Sequence, residues 1–338
     1  MLHHFTRSIA HIALPDKFTY PFHYTPHPLC VMAADEVQVY LQHQAQWQDE
    51  LQQGKMFGVL IVQTTEGEIG YLAAFSGILA GKNIHPYFVP PIYDLLQPDG
   101  FFKKEEEHIS AINHRIRELE EDTSYQKCRQ ALEEETARCS QLLSQAKAKL
   151  KAAKELRDCR RQTEQLSESE QAAMIRESQF QKAELKRLER SLKEHLSSLQ
   201  KETDTYVSQI EALKNERKSR SATLQQQLFE QFRLLNARGE VKDLCSIFAH
   251  TVHKIPPAGA GECAAPKLLQ YAYFHHYRPV AMAEFWWGDS PKAEIRHHGH
   301  YYPACKGKCE PILGHMLQGL EVEENPLLED NHRTTVLD

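Results

Sequence analysis

Apolar residues recur at a helical period through the long stretch from Phe101 to Arg238. This stretch contains neither glycine nor proline, and it is rich in Glu, Lys, Gln, Ala, Arg and Leu, which favour helix. A seam about every 3.5 residues with charges elsewhere is typical of a coiled coil. The sequence therefore predicts a coiled-coil segment over 101–238. Its clearest seam residues are Ile109, Ile112, Ile116, Leu119, Leu185, Leu188, Leu192, Leu196 and Leu199.

Residues 165–171, near the middle of this segment, are polar and interrupt the seam. A single unbroken helix of this length would reach about 200 Å at about 1.5 Å per residue. We interpret the polar stretch as the tip of a hairpin of two antiparallel helices, which would bring Gly100 and Gly239 together. A straight parallel dimeric rod remains the alternative.

The flanks of the helical segment alternate between β-branched runs and short helical patterns. Residues 58–62 and 70–75 predict a β-hairpin around the turn at 65–67. A two-stranded hairpin is too small to be stable alone, so we expect the strand at 281–287 to join its sheet. Further helices are predicted at about 33–53, 241–252, 262–274 and 311–320.

These elements predict one fold and four regions. The fold class is α+β or α/β, a small deaminase-like sheet-and-helix body interrupted by a long antiparallel coiled-coil hairpin. The regions are 1–100 (N-terminal segment and first half of the body), 101–238 (the hairpin), 239–320 (second half of the body) and 321–338 (an acidic linker or tail).

Charge and cysteine usage narrow the functional classes. The net charge is −6, so no overall basic field indicates nucleic-acid binding, although a local patch is compatible with it. The start of the chain lacks the pattern of a signal peptide, and no apolar run is long enough to span a membrane. Eight scattered cysteines fit a reducing compartment. We therefore expect a cytoplasmic protein without a membrane partner.

Cys263, Cys305 and Cys309 are the candidate metal ligands, with zinc as the candidate ion. Cys263 opens a predicted helix, and the other two follow Pro303-Ala304. This order is similar to that of the zinc-dependent nucleoside and nucleic-acid deaminases, where thiols at helix starts hold zinc and a glutamate moves protons. Here Ala265 stands where that glutamate would be, and three residues rather than two separate the last cysteines. Inert buried cysteines are the alternative.

Cations and aromatic residues interleave in the same region. Stacking rings combined with cations are how single-stranded RNA is held, so a local RNA-binding patch is predicted. An ordinary core strand at 285–287 beside a solvated loop is the alternative. The candidate RNA-binding residues are Lys267, Arg296, His298, His300, Tyr301, Lys306 and Lys308.

Three long motifs, 261–272, 282–288 and 298–317, resemble the N-terminal extension of the long RluA-type RNA pseudouridine synthases. The early proline-rich segment at 15–28 and the helical insert are similar as well. The resemblance implies RNA modification, with ribosomal or transfer RNA as partner and an isomerase catalytic domain supplied in cis or in trans. The synthases' catalytic His-Arg-Leu-Asp motif is missing, since Thr334 follows His332-Arg333.

Three functions therefore stay open. The first is a non-catalytic RNA-binding or substrate-positioning region of a pseudouridine synthase, either as a fragment or as a separate accessory protein. A zinc-dependent nucleobase deaminase-like enzyme is the second, and a coiled-coil scaffold for protein interaction is the third. No catalytic residue is assigned, and whether the chain is itself an enzyme is left open.

Overall fold

The structure, a computed structural model, describes residues 1–252, 254–292 and 294–328. It divides into two compact units: the body, which is Met1–Glu105 together with the chain from Ala222 onward, and the arm, which is Glu106–Ser221. The helices are α1 (Pro28–Gln42), α2 (Gln48–Gln52), α3 (Phe101–Glu121), α4 (Thr123–Thr163), α5 (Glu168–Gln231), α6 (Leu244–Phe248), α7 (Ala264–Phe274) and α8 (Lys306–Met316). The strands are β1 (Lys55–Gln63), β2 (Ile69–Phe75), β3 (Arg233–Leu235), β4 (Val241–Asp243), β5 (Arg278–Trp287) and β6 (Tyr301–Tyr302).

The body is built on a four-stranded antiparallel sheet in the order β2-β1-β5-β6. Phe57 of β1 pairs with Phe75 on one side and with Phe285 on the other. The expected pairing of the early hairpin with the late strand is therefore confirmed, and so is the α+β class. A late strand joins an early hairpin because β1 needs a hydrogen-bonding partner on each edge.

Alternating side chains of this sheet form two hydrophobic layers. Phe57, Val59 and Ile61 pack on one face with α1, whose Leu29, Ala33, Val37 and Leu41 are fully buried. Leu60, Val62 and Met282 point to the other face, where α7 covers the sheet and α8 packs against α7. The three candidate metal ligands lie on this second face.

The arm is an antiparallel helical hairpin. Ile116 and Leu119 of α3 pack against Ile210 of α5, and Lys214 binds Glu120 at 2.7 Å. Nearer the tip, Lys147 faces Glu189 at 3.5 Å. These pairings run in opposite chain directions, in agreement with the hairpin interpretation rather than with a parallel rod.

The tip of the arm lies where the polar stretch predicts it. Helix α4 ends at Thr163 and α5 begins at Glu168. Ser167 and Glu170 form a reciprocal capping box, because the Ser167 N–H donates to the Glu170 carboxylate at 2.8 Å and the Glu170 N–H donates back to Ser167 Oγ at 3.4 Å. A second break, at Asp122, is absent from the sequence prediction; the Asp122 carboxylate caps α4 there.

Three predicted boundaries are wrong. The long helix ends at Gln231 rather than at 238, because Arg233–Leu235 pairs as a strand with Val241–Asp243. The connecting turn is held by the Asn236 side chain, which accepts from the Arg238 and Glu240 N–H groups. The helix expected at 241–252 shrinks accordingly to Leu244–Phe248, and the last helix begins at Lys306 rather than at 311.

The first predicted helix and the predicted C-terminal tail also differ from expectation. The helix expected at 33–53 is α1, which begins at Pro28, followed by a short turn and α2. The start of the predicted tail is attached to the body, since Glu323 N–H donates to Phe18 O at 2.8 Å. Residues 329–338, including His332 and Arg333, lie outside the described residues. Among the described residues, no helix is both long and apolar enough to cross a membrane.

Candidate metal centre

The thiols of Cys263, Cys305 and Cys309 converge on the second face of the sheet. Their sulfur atoms all lie within 4.8 Å of one another, and Cys305 Sγ is 3.3 Å from Cys309 Sγ. All three are free thiols. A tetrahedral zinc site with Zn–S bonds of about 2.3 Å needs sulfur atoms about 3.8 Å apart. The three thiols therefore fit a thiophilic metal ion, as the sequence predicts.

The local fold brings each cysteine to a helix start. Cys263 is the N-cap of α7, and Cys305 is the N-cap of α8. Cys309 follows Cys305 by four residues, which places both thiols on one face of α8. Helix N-termini carry partial positive charge, so they stabilise the thiolate form that binds metal.

Two glycines make the close packing of this site geometrically feasible. Gly261 has a positive φ of 85°, and a Cβ atom there would lie 2.6 Å from the Phe232 ring. Gly58 of β1 faces α7, and a Cβ atom there would lie 3.0 Å from Ala264 Cβ. Both positions exclude a larger residue because the start of α7 sits directly on the sheet and on Phe232.

Hydrogen bonding distributes charge unequally over the three thiols. Hydrogen bonding with Cys263 and then with Cys309 lowers the pKa of Cys305 well below the ordinary thiol value, and the backbone N–H groups of Lys308 and Cys309 act in the same direction. Cys305 is therefore the sulfur that most readily carries the negative charge. A metal ion would draw the remaining thiols into the deprotonated form.

Glu284 is a buried carboxylate beside this cluster, and the sequence analysis missed it. It lies on β5 with only 3% of its surface exposed, and its Oε1 accepts a hydrogen bond from the Ala265 N–H at 3.2 Å. Burial raises its pKa to about 7. The sequence signal for this residue was a single acidic position inside the apolar strand Ala281–Trp287. Glutamate is almost never fully buried unless it is paired, so a glutamate in a buried strand indicates a specific interaction.

Lys267 does not belong to a surface patch, so its predicted RNA-binding role is corrected. Only 2% of its surface is exposed. Its ammonium donates to the backbone carbonyls of Phe75 at 2.9 Å and Gly77 at 3.3 Å, and it lies 4.9 Å from the centroid of the Phe75 ring. Burial lowers the pKa of Lys267 to about 8. Its role is to tie the end of β2 to α7.

Of the other predicted RNA-binding residues, four are exposed to solvent and two, Tyr301 and Arg296, pack against neighbouring side chains. Lys306, Lys308, His298 and His300 are exposed. Tyr301 packs partly against the core beside Phe285. Arg296 is neutralised by Glu294 at 2.7 Å and stacks over Trp286 and Tyr302.

The tryptophans of β5 are core residues rather than stacking platforms. Trp286 is 9% exposed and Trp287 6% exposed. The core-strand alternative therefore holds for 285–287, and the exposed lysines and histidines remain as a separate feature. We call Lys306, Lys308, His298 and His300 the basic loop patch.

Comparison with known proteins adds no family. No family model, curated protein or solved structure matches this chain.

Proposed function

We propose that this chain is a non-catalytic RNA-binding region that positions the substrate of an RNA pseudouridine synthase, with zinc held by its three thiols. The observation that carries the proposal is the convergence of the three resembling segments. Residues 261–272, 282–288 and 298–317 correspond to α7, β5 and the β6–α8 region, which pack together around the thiols.

The metal centre would act as a brace for the first turn of α8, which carries Lys306 and Lys308. Lys306 and Lys308 lie between two of the thiols in sequence, so a metal ion bound there would hold both lysines in place. The Lys308 ammonium reaches across to the glycine loop, 3.3 Å from the position that a Gly259 Cβ would occupy. A metal ion that fixes the backbone on both sides of the two lysines lowers the ordering cost of binding phosphate, which favours binding.

Filter binding of the full chain to ribosomal RNA fragments at low and at high salt tests the proposal. We expect binding at low salt, with an affinity that falls steeply as salt rises because counterions are released from the RNA. An absence of binding at low salt, or an affinity indifferent to salt, would reject the RNA-binding function.

A second candidate function is hydrolytic deamination of a nucleobase, and Glu284 is the observation that favours it. Ala265 occupies the position two residues after Cys263, where the zinc deaminases have their proton-transferring glutamate. Glu284 Oε1 lies 3.2 Å from the Ala265 N–H, so a carboxylate reaches that place from the neighbouring strand. Deamination would exchange an exocyclic amine for the oxygen of water and release ammonia.

Ammonia release from cytidine, adenosine and RNA separates the two candidates. If the second candidate holds, zinc-loaded protein releases ammonia and Glu284→Gln lowers the rate by about 10²- to 10⁴-fold, the usual contribution of general acid–base catalysis. Zinc-loaded wild-type protein that releases no ammonia rules the enzyme out and leaves a structural metal centre.

A further inference from the structure

The arm carries a basic groove between α4 and α5, on the half nearer the tip. The groove encloses about 400 Å³. We define the basic groove by its lining residues, which are Lys147, Leu150, Lys151, Lys154, Arg157, Asp158, Arg161, Ser178 and Lys182. Six of these nine side chains are cationic and one is acidic. The whole chain is acidic, so this concentration of positive charge is local.

The lysines of the groove are weakly neutralised. Lys154 and Lys182 are exposed, and within the part of the chain that the structure describes neither forms an ion pair. Lys147 and Lys151 reach Glu189 and Glu155 only at 3.5 and 4.0 Å, and these pairs are exposed to solvent. Exposed pairs of this kind contribute about 0–1 kcal/mol, so a stronger anion can displace them.

One cation of the groove is built into the arm. The Arg157 side chain is only 8% exposed, and its guanidinium donates to Gln181 Oε1 at 2.8 Å across the two helices. Glu177 approaches it at 3.9 Å. Arg157 therefore joins α4 to α5 and fixes the spacing of the two walls.

The exposed cations of α4 form a row along the helix axis. Lys147, Lys151 and Lys154 step by four and three residues, and Arg161 follows one heptad later, so they share one face. Asp158 lies between the last two and pairs with Arg161 at 3.4 Å, in an exposed ion pair. The row is about 21 Å long at about 1.5 Å per residue. Lys182 adds a cation from the opposite wall. Such a linear arrangement matches an extended polyanion better than a single phosphate group.

We propose that the basic groove of the arm binds the phosphate backbone of RNA, as a second contact beyond the basic loop patch. This inference rests on the RNA-binding function proposed above and gives the arm a direct part in it. A membrane surface fits less well, because Leu150 is the one apolar side chain in the groove and membrane-bound helices present a broad apolar face.

The test compares two charge-reversed variants of the full chain. Lys151→Glu with Lys154→Glu alters the groove. Lys186→Glu with Arg190→Glu is the matched control, since both residues are exposed on the same half of the arm, lie outside the groove and change the net charge equally. The probe is a fluorescein-labelled single-stranded RNA of about 20 nucleotides, longer than one typical binding module covers.

We expect the groove variant to bind RNA roughly 25-fold more weakly at about 0.1 M salt, with a log–log salt slope smaller by about 1.4. Each phosphate contact contributes about 0.7 to that slope for single strands, or a factor of about five at this salt concentration. The control variant should stay within about threefold of wild type, because only screened long-range charge changes there. Circular dichroism should show the same helix content in all three proteins.

Any result other than this one rejects the RNA-binding role of the groove. If wild type binds RNA but both variants weaken it equally, or neither does, the groove is rejected while the proposed function stands. If wild type fails to bind RNA at all, both proposals fall. Binding of anionic phospholipid vesicles by a chain that ignores RNA would likewise overturn the inference in favour of a membrane surface.

Discussion

Replacing Cys305 and Cys309 by serine is expected to abolish metal binding and to lower the free energy of unfolding of the body by about 4 kcal/mol. Serine keeps the size of the side chain but removes the thiolate that holds zinc. The magnitude follows if free zinc stands about 1,000-fold above its Kd, because a ligand that binds only the folded state then contributes about 4 kcal/mol. The loss is large because both thiols lie at the start of α8, which packs against α7 in the second hydrophobic layer.

Elemental analysis and urea unfolding with and without a chelator measure this effect. Wild type should carry one zinc per chain, and chelation should reproduce the loss of stability seen in the serine variant. Cys159→Ser is the control, since Cys159 is exposed on the arm and far along the chain from the cluster. Wild type without bound metal, or with a stability indifferent to chelation, would show that the three cysteines are inert.

Replacing Lys267 by methionine is expected to remove a rise in stability at alkaline pH. Burial lowers the pKa of Lys267 from 10.5 to about 8. Below pH 8 the lysine is protonated in both states, and the folded chain bears the cost of burying the charge. Between about pH 8 and 10.5 the unfolded chain keeps the proton that the folded chain releases, so the free energy of unfolding rises with pH.

The rise amounts to about 3 kcal/mol over this window, since each unit of pKa difference corresponds to about 1.36 kcal/mol. It should appear in the difference between wild type and Lys267→Met, because titrating cysteines and tyrosines contribute to both proteins. Urea unfolding between pH 7 and 10.5 measures it, with exposed Lys292→Met as control. A difference that stays flat, or that falls as pH rises, would contradict a lysine whose pKa is lowered by burial.

Much of the fold follows from local pattern. The absence of glycine and proline over 101–231, with a polar interruption at 165–171, favours a helical hairpin. The β-branched and apolar runs at 58–62 and 70–75 indicate the two strands of the hairpin, but both faces of these strands are apolar, so only the structure shows which residues face each layer. The strand at Arg233–Leu235 escapes such reasoning, because its residues continue the helical seam. Its conformation depends on pairing with Val241–Asp243, a tertiary contact that overrides propensity.

In the candidate site too, some features could be predicted from local sequence and others depend on tertiary packing. The three cysteines could be grouped because Cys263 opens a predicted helix and the other two follow Pro303-Ala304 at a four-residue spacing, an order similar to that of the zinc deaminases. The burial of Lys267 could not be predicted from the sequence. No local pattern indicates that the backbone carbonyls of Phe75 and Gly77 accept hydrogen bonds from its ammonium group. The approach of Glu284 to Ala265 depends on the packing of β5 under α7, which the sequence does not display.

The most direct test of the RNA-binding account is the effect of charge reversal in the basic loop patch. Lys306→Glu with Lys308→Glu should weaken binding of the labelled RNA by roughly 25-fold at about 0.1 M salt, for two lost phosphate contacts. Lys17→Glu with Lys82→Glu changes two exposed lysines outside the patch and should leave the affinity within about threefold of wild type. If both pairs weaken binding alike, or if reversal in the patch has no effect, the account is contradicted.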